Sequence, residues 1–232
     1  MYRLRIMVRQ TLTLGLLMTL VILALSACGG GGEGGGGEHQ QQAKPRRLPE
    51  VGFHPVALHP GEYRSEEFKP SFSFRVGKGW KLDRPEISNR LAITTGGEGH
   101  PVLNFRNVWE VYNYDKTGAP AVAKVPKDMV GWFQHHPHLE TEKPEPATVG
   151  EVKGVQFDYI VSEDTPSDEI TLFRYTDGDT GEAGKGYKFR AIILEGVKGK
   201  TVTIGIGSPT TEFDDFLPKA QQVLDSVKWT GS

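Results

Sequence analysis

Residues 148–161 have the sequence Thr-Val-Gly-Glu-Val-Lys-Gly-Val-Gln-Phe-Asp-Tyr-Ile-Val, and this stretch indicates a fold built on antiparallel strands. Apolar residues occupy every second position from Val155 to Val161, which is the period of a strand with one buried face. Lys153-Gly154 separates that run from a shorter one at 148–152, and a glycine-containing dipeptide between two such runs predicts a hairpin. We therefore expect an antiparallel pair whose second strand turns its aromatic side chains toward the core.

Further strands and two helices are predicted outward from this hairpin. The strand predictions cover residues 72–76, 91–95, 102–112, 170–175, 187–194 and 201–206. Apolar residues change to helical spacing at 126–136 and again from about 215 to 227, where Asp214 or Asp215 is expected to cap the helix. Because short turns join the strands, we expect an α+β fold, an antiparallel sheet of about seven strands with two main helices packed on it.

The same patterns predict the core. Nine apolar residues lie on the inward phase of their elements: Trp80, Phe105, Trp132, Phe133, Phe157, Phe189, Ile204, Leu224 and Val227.

The N-terminal segment has the pattern of an export signal. Three arginines precede residues 11–27, which carry no charge, and the run ends in Leu25-Ser26-Ala27-Cys28. This ending resembles the lipobox of bacterial lipoproteins, which implies that Cys28 is lipidated and that the preceding peptide is removed. Two alternatives stay open: ordinary secretory cleavage after Ser26, and an uncleaved anchor, although the run is shorter than the roughly 20 residues of a spanning helix.

Composition divides the chain into three parts. We predict a lipoprotein signal peptide at residues 1–27, a Gly-rich flexible tether at 28–60 and a single globular domain at 61–232. The tether prediction depends on eight glycines within residues 29–37, because such a segment cannot bury apolar surface.

The charge balance argues against nucleic acid as a partner. The chain has 27 basic and 29 acidic residues, and removal of residues 1–27 takes away three arginines and no acid. The remainder is mildly acidic and its basic residues are scattered, whereas nucleic-acid binders carry a basic face.

Three histidines form the densest cluster of potential metal ligands, at His135, His136 and His138. On a helix the first two point about 100° apart, and no cysteine or nearby acid completes a four-coordinate shell. These histidines are therefore weak candidates, and we predict no metal site and no cofactor.

Acidic residues and one serine give no clearer sign of catalysis. Asp177, Asp179 and Glu182 lack the ligand spacing of an EF-hand loop and are expected in a solvated hairpin tip. Ser208 lacks the Gly-x-Ser-x-Gly elbow of hydrolases. Acids around Pro166, including Glu169, are expected in a solvated loop, because the separation that glycosidases require cannot be seen in a sequence.

Motifs spanning most of residues 60–229 carry a resemblance. Val76-Gly77-Lys78-Gly79-Trp80, Trp132-Phe133 before His136-Pro137, and Val223-Leu224-Asp225-Ser226-Val227 resemble an uncharacterised group of exported bacterial lipoproteins. The order of hairpins and the closing helix is loosely similar to PsbP-like α/β sandwiches, which implies action by binding partners and brings no functional residues.

Together these observations predict a lipid-anchored protein on the extracytoplasmic face of the cell membrane. Its domain is expected to be non-catalytic and to bind an unknown protein or small-molecule partner, while acylated Cys28 contacts membrane lipid. A cell-envelope hydrolase and a structural or assembly lipoprotein are the alternatives. A cleft holding two or more carboxylates, or a histidine with a partner, would favour the hydrolase.

Overall fold

The computed structural model describes residues 44–52, 54–96, 100–115 and 118–230. Over these ranges the backbone forms 17 strands in three sheets and only two helices. The prediction of an α+β sandwich with about seven strands is therefore wrong, because the fold is mostly β. Two physical reasons account for the difference: one long predicted strand is divided, and segments expected to be loops pair as additional strands.

The elements follow one another in this order. The strands are β1 (Arg46–Arg47), β2 (Val56–Ala57), β3 (Gly61–Arg64), β4 (Phe72–Val76), β5 (Lys81–Leu82), β6 (Arg90–Thr94), β7 (Val102–Arg106), β8 (Glu110–Tyr114), β9 (Pro120–Lys124), β10 (Leu139–Thr141), β11 (Glu145–Val149), β12 (Val152–Val161), β13 (Glu169–Arg174), β14 (Thr180–Gly184), β15 (Tyr187–Val197), β16 (Lys200–Pro209) and β17 (Lys228–Trp229). The helices are α1 (Met129–Gln134) and α2 (Phe213–Leu224).

A nine-stranded sheet forms the centre of the fold. Its order is β10-β12-β15-β16-β7-β6-β5-β2, and β11 also pairs with β12. The hairpin predicted at residues 148–161 exists, but its turn lies at Gly150-Glu151 instead of Lys153-Gly154, and both turn residues have positive φ. Gly154 lies within β12, where a Cβ would come 2.2 Å from the Ile193 carbonyl oxygen. That glycine therefore allows β15 to approach closely and does not make the turn.

Two hydrophobic cores lie on opposite faces of the central sheet, as the alternation along β15 shows. Ile192 and Leu194 belong to the first core, with α2 and the sheet β1-β3-β4-β17. Ala191 and Ile193 belong to the second core, with α1 and the sheet β14-β13-β8-β9. The central sheet is thus covered on both faces. Because successive side chains of β15 point to opposite faces, its apolar run contributes to both cores.

Two segments have a different secondary structure from the one predicted. Residues 102–112 form two strands, β7 and β8, because Asn107–Trp109 leave the central sheet and carry the chain into the sheet β14-β13-β8-β9. The acidic segment 177–186, expected to be a loop, contains β14, which pairs with β13.

Both helices are confirmed, with different bounds. Asp128 caps α1 by accepting from the Gly131 amide, so the helix begins at Met129. Helix α2 begins at Phe213, with Glu212 at the cap position where Asp214 or Asp215 was predicted. Pro218 therefore lies inside α2, beyond the first turn.

Most of the predicted core is buried. Trp132 and Phe189 are half-buried, whereas the other seven predicted residues are buried. Phe189 is one of the residues that line the cleft described below.

Residues near the N-terminus of the described chain take part in sheets. Strand β1 pairs in parallel with β3, and β2 pairs with β5, although both fall within the predicted tether 28–60. Neither helix of the described chain is long and apolar enough to cross a membrane. The signal peptide, the lipobox and Cys28 lie outside the described residues, so their assignments stay predictions.

Candidate functional site

A cleft of about 810 Å³ lies between the central sheet and the β13–β14 hairpin. Its floor continues the sheet face that carries the second core, along β6, β7, β15 and β16, and β14 with Tyr175 forms one wall. The cleft is lined by Gly52, His54, Pro55, Asp83, Arg84, Arg90, Ala92, Thr94, His100, Val102, Asn104, Arg106, Glu169, Tyr175, Thr180, Gly181, Glu182, Gly184, Tyr187, Phe189 and Gly207.

Two glycines leave room for neighbouring side chains on the floor of the cleft. Gly205 pairs with Asn104 across β16 and β7, and a Cβ at Gly205 would lie 2.7 Å from the Asn104 side-chain oxygen. Gly207 has the same relation to Phe189, whose ring carbon would be 2.8 Å from an added Cβ. The two glycines therefore let neighbouring side chains lie flat on the sheet, which leaves space above them.

Two arginines stand opposite each other on the floor, Arg90 on β6 and Arg106 on β7. Like charges at directly opposed positions destabilise a sheet. The hairpin wall supplies compensation to one of them: Arg90 Nη1 donates to Asp179 at 2.6 Å, and Asp177 lies 3.5 Å from Arg90 Nη2. Arg84 also pairs with Asp179, at 3.0 Å.

The ion pairs with arginine lower the pKa of Asp179, which lies at the start of the wall. Burial alone would raise the pKa of Asp179, but hydrogen bonds from Arg90 and from the Thr180 amide outweigh it and hold the pKa below its ordinary value. Asp179 is therefore ionised at neutral pH and joins the hairpin to Arg90 on the floor and to Arg84 after β5.

Arg106 has a different environment. Its guanidinium carbon lies 5.4 Å from the centre of the Phe173 ring and 5.9 Å from that of Tyr175. Burial raises the pKa of Tyr175, and Arg106 and Arg90 oppose part of that rise, so the phenol stays protonated. Within the described residues, no carboxylate pairs with Arg106.

Three buried polar atoms on this floor have no hydrogen-bond partner among the described residues: Arg90 Nε, Asn104 Oδ1 and Arg106 Nε. A buried polar group without a partner costs about 1–3 kcal/mol. Three residues that line the cleft therefore carry hydrogen-bonding atoms that the described part of the protein does not satisfy.

Carboxylates occupy another part of the lining. Burial and the adjacent carboxylate of Glu182 raise the pKa of Glu169. Glu182 in turn accepts from the Thr180 hydroxyl at 2.9 Å. Glu169 was expected in a solvated loop; its side chain is exposed, but it opens strand β13 and interacts with Glu182.

The histidine cluster lies elsewhere, at the end of α1. His135 is exposed, His136 is buried and His138 is half-buried. His136 Nδ1 accepts from the His138 amide at 3.3 Å, and its ring packs edge-on against Tyr114 and Trp132. Burial and then the nearby His138 lower the pKa of His136 to about 4, with partial opposition from the Tyr112 backbone. Over the described residues, no three His, Cys, Asp or Glu side chains are grouped to hold a metal ion.

The remaining residues considered for catalysis do not come together. Ser208 is buried in β16, and its hydroxyl has no hydrogen-bond partner in the described chain. Asp177 and Asp179 are exposed in the turn between β13 and β14, as expected of a solvated hairpin tip, and both also pair with Arg90 on the floor.

Sequence reasoning missed Arg90, Asn104 and Arg106. The signal was present, because Asn104 and Arg106 alternate with the apolar Leu103 and Phe105 along β7. That alternation is also the ordinary pattern of a strand with one solvated face. Only the hairpin that covers this face distinguishes a cleft from open surface, and it comes from residues more than 60 positions later in the chain.

No known protein-family model matches the chain, and no curated protein sequence matches it. Similar solved structures include the solution structure of cyanobacterial PsbP (CyanoP) from Synechocystis sp. PCC 6803, with 12% identity and a TM-score of 0.38 over 79% of this chain and 99% of that one. They also include the crystal structure of LpqN, involved in cell envelope biogenesis of Mycobacterium tuberculosis, with 9% identity and a TM-score of 0.36 over 75% of this chain and 93% of that one. A PsbP protein and a cell-envelope protein are thus among the structures similar to this chain, and membership of a lipoprotein family stays a prediction.

Proposed function

We propose that this chain is a lipid-anchored, extracytoplasmic binding protein whose cleft holds a small polar molecule without transforming it. The observation that carries the proposal is the unsatisfied floor of the cleft. Arg90, Asn104 and Arg106 line the cleft, and each of them has one buried hydrogen-bonding atom without a partner among the described residues. Ligand sites typically combine such a volume with a few convergent polar groups.

A thermal-shift screen tests whether the cleft binds a ligand. The wild-type protein is heated with a panel of sugars, amino acids, nucleotides and organic acids. A compound at 100 times its Kd should add about 2.7 kcal/mol of stability, which raises the Tm.

Two matched variants locate the binding. Val102→Phe fills the cleft and should abolish the rise in Tm, since Val102 lines the floor. Val122→Phe makes the same change on the exposed surface of β9 and should keep the rise. A panel that leaves the wild-type Tm unchanged, or shifts both variants equally, contradicts the proposal.

The anchor has its own test, because Cys28 is the predicted site of lipid attachment. Two or three acyl chains, at about 0.8 kcal/mol per buried CH₂, hold a protein on a membrane where one chain does not. Intact-mass measurement of protein from the membrane fraction should show a chain that starts at Cys28 and is heavier than its peptide by the lipid. An unmodified mature chain would contradict the lipid anchor, and Cys28→Ser should block both lipidation and cleavage.

A cell-envelope hydrolase is the second candidate, and one observation favours it. Glu169 and Glu182 line the cleft, and burial together with the neighbouring Glu182 carboxylate raises the pKa of Glu169, which is the direction that a general acid requires. The expected result for the binding proposal is that the compound found in the screen is recovered unchanged after incubation. Conversion by wild type and its loss in Glu169→Gln would establish the hydrolase instead.

A further inference from the structure

We infer that the ligand of this cleft carries an oxyanion, a carboxylate or a phosphate, and that Arg106 is the residue that binds it. This inference rests on the proposed function and names the chemical class of the ligand. It follows from the charges of the floor, from the geometry around Arg106 and from the hydrogen-bonding atoms that the fold leaves unpaired.

The charges of the floor are satisfied unequally. Arg84 pairs with Asp83 and Asp179, and Arg90 pairs with Asp177 and Asp179. Arg106 stands directly opposite Arg90 and has no such partner in the described chain. A cation that is half-buried and uncompensated next to another cation attracts an anion, because burial weakens the screening by water.

The surroundings of Arg106 favour a planar, two-pronged partner. Aromatic rings on β13 and just after it, Phe173 and Tyr175, lie against the guanidinium and restrict its orientation. A guanidinium whose position is restricted in this way presents paired N–H donors that match the paired oxygens of a carboxylate or phosphate. Its Nε is buried and lacks a partner among the described residues, so the fold leaves part of the hydrogen-bonding capacity of this guanidinium unused.

Neighbouring residues define what else the ligand needs. Asn104 lies two residues before Arg106 on the same strand face, and both line the cleft. Phe189 adds an apolar surface to the lining. The cleft therefore accommodates an oxyanion attached to an apolar or aromatic body.

Calorimetric titration of the full chain in detergent tests this inference. Benzoate and phenyl phosphate are the anionic probes and distinguish a carboxylate from a phosphate site, while benzamide is the uncharged isostere. At least one anion should bind, and benzamide should bind at least about 10-fold more weakly, since charge-assisted hydrogen bonds are roughly twice as strong as neutral ones.

Three variants assign the effect to Arg106. Arg106→Gln should weaken the anion by about 10- to 100-fold, and Arg106→Lys should weaken it less, because the charge remains while the fork is lost. Arg174→Gln is the matched control, since Arg174 is on β13, is exposed and pairs with Glu110 outside the cleft lining; it should bind as wild type does. Urea unfolding of each variant confirms that it is folded.

The outcomes separate this inference from the proposed function. If benzamide binds as tightly as benzoate and Val102→Phe abolishes both, the cleft is a binding site but the oxyanion inference is wrong. If Arg106→Gln binds the anions as well as Arg174→Gln does, or if neither anion binds wild type, the inference is also overturned. The screen with the wider panel then decides the proposed function independently.

Discussion

The burial of His136 predicts a loss of stability in acid that a single substitution removes. His136 is 6% exposed and its pKa is lowered from 6.5 to about 4. The folded protein therefore binds fewer protons than the unfolded chain between these two values, so stability is full above pH 6.5 and falls as the pH falls toward 4. By this linkage the loss is about 2 kcal/mol at pH 5 and about 3 kcal/mol at pH 4.

Urea unfolding from pH 7.5 to pH 4 measures this loss. His136→Phe keeps an aromatic ring between Tyr114 and Trp132 but cannot take up a proton. Wild type should lose about 2 kcal/mol more than the variant by pH 5, and other titrating groups cancel in the comparison. His135→Gln, at an exposed position one residue earlier, should keep the acid-dependent loss because it retains His136. Equal pH dependence in wild type and His136→Phe would refute the reasoning.

Three further substitutions test the packing. Phe133→Ala should cost about 3–5 kcal/mol in urea unfolding, because Phe133 is 1% exposed in the second core; a cost below about 1 kcal/mol would mean that the α1 face is misassigned. Gly207→Ala should lower stability by about 1–3 kcal/mol, since its Cβ would meet the Phe189 ring, and an unchanged Tm would contradict that contact. Asp158→Asn should cost about 3 kcal/mol, because Arg190 donates two hydrogen bonds to this buried carboxylate, and full stability would show that the ion pair contributes nothing.

The secondary structure could be predicted from the sequence where periodicity was strong. Phe72–Val76 has the predicted bounds, since alternation and the following glycine define both the strand and its end. The hairpin near residue 150 was predicted with its turn in the wrong place, because Gly150 and Gly154 both lie in the predicted hairpin and either glycine could form its turn. Their roles differ only through β15, whose Ile193 carbonyl lies against Gly154.

The sheet β14-β13-β8-β9 and the candidate site could not be predicted from the sequence, and the physical cause is the same for both. Strand β14 is rich in glycine and polar residues, so it lacks the propensity of a strand and forms by pairing with β13. This same hairpin covers Arg90 and Arg106 and thereby makes the cleft. In the sequence, the arginines on β6 and β7 have the pattern of solvated positions. In the structure, a distant segment covers them.

A structure of the protein with its ligand tests the central claim most directly. The compound that gives the largest rise in Tm is crystallised with the wild-type protein, and the position of its electron density is determined. The account predicts density in the cleft, in hydrogen-bond contact with Arg106 and Asn104 and next to the β14 wall. A ligand bound outside the cleft, or within it but without contact to either residue, would contradict the account.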